Sequence, residues 1–85
     1  MKARKLYARV IRGQLANVRI ADFCRLLESL GFEQIRSSGS HMIFAHPGIP
    51  EQVNLQDVRG QAKPYQIRQV LRLVERYNLH LEDKQ

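Results

Sequence analysis

A chain of 85 residues, 44% hydrophobic and 26% charged, has the size and composition of one small globular domain and not of a disordered segment. It holds no apolar run near the roughly 18 residues that cross a bilayer, and its single cysteine, Cys24, excludes an internal disulfide. The formal charge of +6 resides in one arm: Lys2, Arg4, Lys5, Arg9, Arg12 and Arg19 have no acidic residue among them, whereas the other eight Lys and Arg are balanced by all eight Asp and Glu. A basic excess of this kind admits a polyanionic partner, while the body of the chain stays neutral. Met1-Lys-Ala-Arg-Lys is followed by no uninterrupted apolar stretch. No signal peptide is therefore expected, and a cytoplasmic protein without a membrane partner is.

Ala3, Leu6, Tyr7, Val10 and Ile11 recur at helical spacing and Gly13 stops them, which predicts a short amphipathic helix over 2–12. So short a helix needs a partner on its apolar side. Residues 14–19 read as a connector. Phe23, Leu26, Leu27 and Leu30 then predict a second helix, with Asp22 in its first turn and Gly31 as its stop. From Phe32 the pattern turns to strands: one over Phe32-Glu-Gln-Ile-Arg-Ser, a turn at Ser38-Gly39, and a second over His41-Met-Ile-Phe-Ala-His ended by Pro47-Gly48. Gln52-Val-Asn-Leu is a third strand, and 57–63 a loop. Pro64 opens a last helix from its first turn, with Ile67, Val70, Leu71 and Val74 inward and Arg68, Arg72 and Arg76 on another face.

The expected fold class is α+β: a three-stranded antiparallel sheet packed on one face by helices. One domain spans 1–85, made of a basic helical extension (1–19), a core (20–78) and a frayed tail (79–85).

Leu30-Gly31-Phe32, then Gly39-Ser40-His41-Met42-Ile43-Phe44, and later Lys63-Pro64, stand in an order and spacing that resemble the HicA family of toxins. These are small mRNA interferases of toxin–antitoxin pairs. The resemblance covers about residues 20–77 and implies an α-β-β-β-α core like that of a double-stranded-RNA-binding domain. It also implies a metal-independent endoribonuclease that acts on mRNA and is held inactive by a HicB-like antitoxin covering the site. The family's RNA-cleaving histidine maps onto His41. Met42 stands where many members carry a second histidine, and Val53-Asn54-Leu55-Gln56 where many carry Val-Pro with a histidine nearby.

RNA supplies its own nucleophile, the 2′-hydroxyl, so cleavage needs a proton carrier and cations for the phosphate. Histidine both takes and gives a proton near neutral pH, and a positioned acid or base typically supplies about 10²–10⁴-fold. By the strand period of two, Met42 and Phe44 share one face and His41 the other. With Met42 and Phe44 on the helices, His41 stands on the open side. Gly39 lets the backbone approach a phosphate, Ser40 offers a hydroxyl, and Arg36, Arg59 and Lys63 are candidate phosphate partners near the same end. Arg68 and Arg72 are further candidates, either as a phosphate-contacting ridge or as a solvated helix face.

His46 points to the opposite face from His41, and His80 lies in the tail. Three scattered histidines and Cys24 show no metal-ligand spacing, so no cofactor is expected. Two readings from other classes use the same residues: an RNA-binding module that does not cut, and a protein-interaction module docking through its basic helix.

Overall fold

The computed structural model describes residues 1–82; the expectation of a tail over 83–85 lies outside the described residues. In chain order the elements are α1 (Ala3–Ile11), β1 (Val18–Arg19), α2 (Ile20–Ser29), β2 (Glu33–Ser38), β3 (His41–Ala45), β4 (Val53–Gln56), β5 (Gln61–Ala62) and α3 (Pro64–Tyr77). β2, β3 and β4 form the expected antiparallel three-stranded sheet with β3 central. The fold is α+β, with the helices on one side of that sheet.

The core is where the helical stripes meet the inward positions of the sheet. Leu6 and Val10 of α1, Phe23, Leu26 and Leu27 of α2, and Ile67, Val70 and Val74 of α3 are buried with Phe44, Val53 and Leu55 of the strands. α1 packs on α2, which supplies the cover that so short a helix requires. Two positions depart from the expected stripes. Ile11, in the last turn of α1, is 58% exposed, and Leu73 is buried in α3 while Leu71 is only half-buried. Pro64 sits at the start of α3, where the buried Gln66 accepts the Lys63 backbone N–H through its Oε1 at 3.2 Å.

Residues 14–19 and 57–63 are not plain connectors. Val18 pairs with Ala62 and Arg19 with Gln61, a two-residue antiparallel ladder extended by Ile20 N–H to the Gly60 carbonyl at 2.9 Å. Burial of Val18 and Ala62 gives the ladder its purpose, since each closes one rim of the core.

Residues 79–82 do not fray. Asn78 ends α3 in the left-handed region, the Leu79 N–H returns to the Val74 carbonyl, and Leu79 and Leu81 pack on the core. The Glu82 N–H then reaches the Ser29 carbonyl at 2.6 Å, so the segment lies across the end of α2.

Gly31 ends α2 at φ +97°, and a Cβ there would stand 2.7 Å from His46 Nε2. That ring cannot yield freely: its Nδ1 accepts the Gly48 N–H at 2.9 Å and it meets Phe32 edge-on, centroids 5.2 Å apart. Gly31→Ala is expected to destabilise the fold by more than about 1 kcal/mol, from backbone strain and clash together. A denaturant midpoint unchanged from wild type would refute it.

Candidate active site on the open face of the sheet

His41 is the first residue of β3, directly after the Gly39-Ser40 turn. Gly39 holds φ +59°, with open space where a Cβ would stand. Pleating then sorts the strand. Phe44 is fully buried, and Met42 is half-buried with its Sδ 4.0 Å from Cys24 Sγ. His41 is exposed on the other face, with Ile43 two residues on.

The register sets its neighbours. His41 lies between Ser38 of β2 and Gln56 of β4, and the next outward row is Arg36, Ile43 and Asn54. Arg36 keeps this face by simple alternation from Ser38; beyond it β2 carries a bulge between Gln34 and Arg36, which makes Ile35 the extra residue and brings Glu33, not Gln34, onto the His41 face. Glu33, opposite Ala45, is the acidic residue of this face and stands at the end away from His41. No protein group among the described residues bonds the His41 imidazole, so the ring is available to a ligand.

A second loop is fastened to the same end. The Asp57 N–H donates to the Ser40 carbonyl at 2.8 Å, and Asp57 Oδ1 accepts the Gly60 N–H at 2.6 Å. Arg59 sits at the tip of that loop, exposed, with φ +54°. Gly39, Ser40, His41, Arg36 and the Arg59 loop thus gather at one end of the sheet. Lys63 is exposed one residue beyond β5, at the N-cap of α3.

Arg68 and Arg72 are placed elsewhere. They line a groove of about 640 Å³ on the helical side, together with Tyr7 and Ile11 of α1 and Leu71, Leu79 and His80. Arg76 is already paired, its guanidinium 3.0 Å from Glu51 Oε2, while the Tyr77 hydroxyl donates to Glu51 Oε1 at 2.6 Å.

That Tyr77 hydroxyl, with Arg76 beside it, holds the Glu51 carboxyl below the ordinary carboxylate range. A lowered carboxyl contributes stability above its unfolded pKa and loses it as pH falls through the folded value. Thermal stability of the wild type should therefore fall more steeply than that of Glu51→Gln between about pH 5 and the lowered pKa. Parallel acid limbs in the two melting curves would contradict this tie between the start of β4 and the end of α3.

Cys24 is half-buried, and burial, with the Glu28 and Asp57 carboxylates nearby, pushes its thiol up, away from the reactive thiolate. His46 is committed to Gly48 and Phe32, as described above. Among the described residues, no three His, Cys, Asp or Glu side chains come close enough to share a metal ion, and no helix is long and apolar enough to cross a membrane.

Sequence reasoning did not single out Ser38, Asn54 or Gln56. Alternation within β4 was the available signal, but their neighbourhood to His41 depends on register.

Residues 20–75 match a family model described as HicA toxin of bacterial toxin–antitoxin. The span runs from α2 into the last turns of α3 and leaves α1 and β1 outside. No curated protein and no solved structure matches the chain.

Proposed function

Since the chain belongs to the HicA family of toxins of bacterial toxin–antitoxin systems, we propose that it is an mRNA endonuclease acting in the cytoplasm through His41. The observation that carries the reading is the exposed imidazole at the hairpin end. It has no hydrogen-bond partner among the described residues, lies one row from Arg36, and is close to the loop bearing Arg59.

In the proposed reaction the neutral imidazole takes the proton of a ribose 2′-hydroxyl. The 2′-oxygen then attacks the adjacent phosphorus as the bond from phosphorus to the 5′-oxygen breaks. A 2′,3′-cyclic phosphate and a 5′-hydroxyl result, the leaving oxygen taking its proton from water. His46 faces away, and Met42 points at Cys24, so no second histidine shares the face. For the same reason Met42→His would place its imidazole on the wrong side of the sheet. A single proton carrier makes a slow nuclease, since each positioned acid or base supplies only about 10²–10⁴-fold. The backbone at Gly39 and the side chains of Ser40, Arg36, Arg59 and Lys63 would hold the phosphodiester.

Family membership brings an antitoxin as partner. In the proposed arrangement a HicB-like antitoxin covers His41 and excludes RNA by occupancy. Arg68 and Arg72, on the helical side, contribute long-range attraction for RNA in this reading, not contacts at the scissile phosphate.

The test is incubation of the purified chain with a defined single-stranded RNA in the presence of a chelator, followed by end analysis. New 2′,3′-cyclic phosphate and 5′-hydroxyl ends are expected. Intact RNA, or products with 3′-hydroxyl ends, would overturn the reading. RNA that stays intact while bound would make the chain an RNA-binding module.

A further inference from the structure

We infer that Asn54 and Gln56 of β4 read the bases of the RNA beside His41, and that the substrate is single-stranded there. The inference deepens the proposed function, because it concerns the same face and rests on RNA being its ligand.

Gln56 is the direct cross-strand partner of His41, and Asn54 that of Ile43. Paired side chains across neighbouring strands have Cβ atoms about 4.5–5.5 Å apart, so a nucleotide held at His41 lies within reach of Gln56. Both side chains emerge on the open face, since the alternate residues Val53 and Leu55 are buried. Neither carboxamide is engaged by another group among the described residues. Nor does strand formation account for Asn54, because asparagine is disfavoured in strands.

A carboxamide carries a donor pair and an acceptor side by side, the combination that matches a base edge and that a phosphate, an acceptor only, cannot use in full. Asparagine and glutamine are the side chains that pair in this way with base edges. Ile43, half-exposed between Arg36 and Asn54, adds an apolar surface against which a base can lie. The cations of the site, Arg36 on β2, Arg59 on the loop after β4 and Lys63 at the N-cap of α3, are all off the strand that carries the carboxamides. Phosphates and bases thus have separate places to go.

Spacing sets the form of the RNA. Asn54 and Gln56 are about 7 Å apart along β4, two residues of strand rise. Stacked bases follow one another at about half that interval, as in a duplex strand. Two successive bases reach both carboxamides only when unstacked, and base-specific RNA recognition falls mainly on such unpaired bases.

The test uses His41→Ala protein, so that RNA is not consumed, and fluorescence anisotropy with labelled single-stranded 12-mers of A, C and U and a duplex of equal length. The single-site protein is expected to bind one homopolymer about tenfold tighter than the weakest and to prefer it over the duplex. Adding Asn54→Ala and Gln56→Ala should compress that range to about twofold, with an unchanged circular dichroism spectrum. If that protein misfolds, Gln56→Glu serves instead: glutamate only accepts hydrogen bonds, so preference should move toward the amino-bearing bases A and C and away from U.

Equal binding to the three homopolymers before the β4 changes, the same preference after them, or duplex binding as tight as single-strand binding would each overturn the inference. Cleavage by the His41-bearing chain is scored separately. Base-selective binding without cutting removes the nuclease reading and keeps this one, and cutting with no base preference does the reverse.

Discussion

Replacing His41 by alanine is expected to lower the single-turnover rate of RNA cleavage by about 10²–10⁴-fold, the range that one positioned proton carrier supplies. The structure makes this a clean experiment. His41 is exposed and bonded to no group among the described residues, and its neighbours Ser38 and Gln56 are held by the backbone ladder and not by its ring. Surface substitutions of that kind change stability by no more than about 0.5 kcal/mol. Thermal midpoint and RNA affinity should therefore stay near wild type while the rate falls, which separates chemistry from folding. An undiminished rate would mean that the observed cutting arises from another group or a contaminant, and His41 would lose its assigned role.

Phe44→Ala should have the largest effect on the fold, about 3–5 kcal/mol. The ring is fully buried at the inner face of the central strand, between Gln34 of β2 and Val53 of β4, and the core it joins includes residues from all three helices. A domain this small holds about 4–13 kcal/mol in total, at roughly 0.05–0.15 kcal/mol per residue. The loss is thus a large fraction of the whole. At about 4–8 °C per kcal/mol for domains of this size, the thermal midpoint should drop by at least about 12 °C. A loss under about 1.5 kcal/mol in denaturant unfolding would show that the sheet and helices close over the space, and that Phe44 is not the keystone of their packing.

Both predictions rest on features that simple periodicity exposes. The helices over α2 and α3 are visible because apolar residues repeat through several turns, and Gly31 and Pro64 mark their ends. The facing of His41 away from Met42 and Phe44 needs only the pleat. What stayed hidden was of two kinds. β1 and β5 have two residues each, too few for any period, and they exist because Val18 and Ala62 meet across a gap of more than forty residues. The second kind depends on register. That Gln56 faces His41, that Ile35 is an extra residue, and that Arg68 and Arg72 lie in a groove with Tyr7 and Ile11 are facts of three-dimensional pairing. The residues could be read in the chain, but their neighbours could not. The returning segment 79–82 was missed for a simpler reason: two leucines are too few to announce a packed strap.

The irregularity at Ile35 bears on how the molecule behaves in crowded solution. β2 forms one margin of the sheet, with all six of its residues exposed, and a straight margin offers its free N–H and C=O groups to any other extended chain. The extra residue kinks that margin and interrupts the evenly spaced groups an incoming strand must match. Excising Ile35 would straighten the border while leaving Gln34 opposite Phe44 and Glu33 opposite Ala45. The shortened protein should then form concentration-dependent aggregates enriched in cross-β structure, even with every residue of the hydrophobic interior intact.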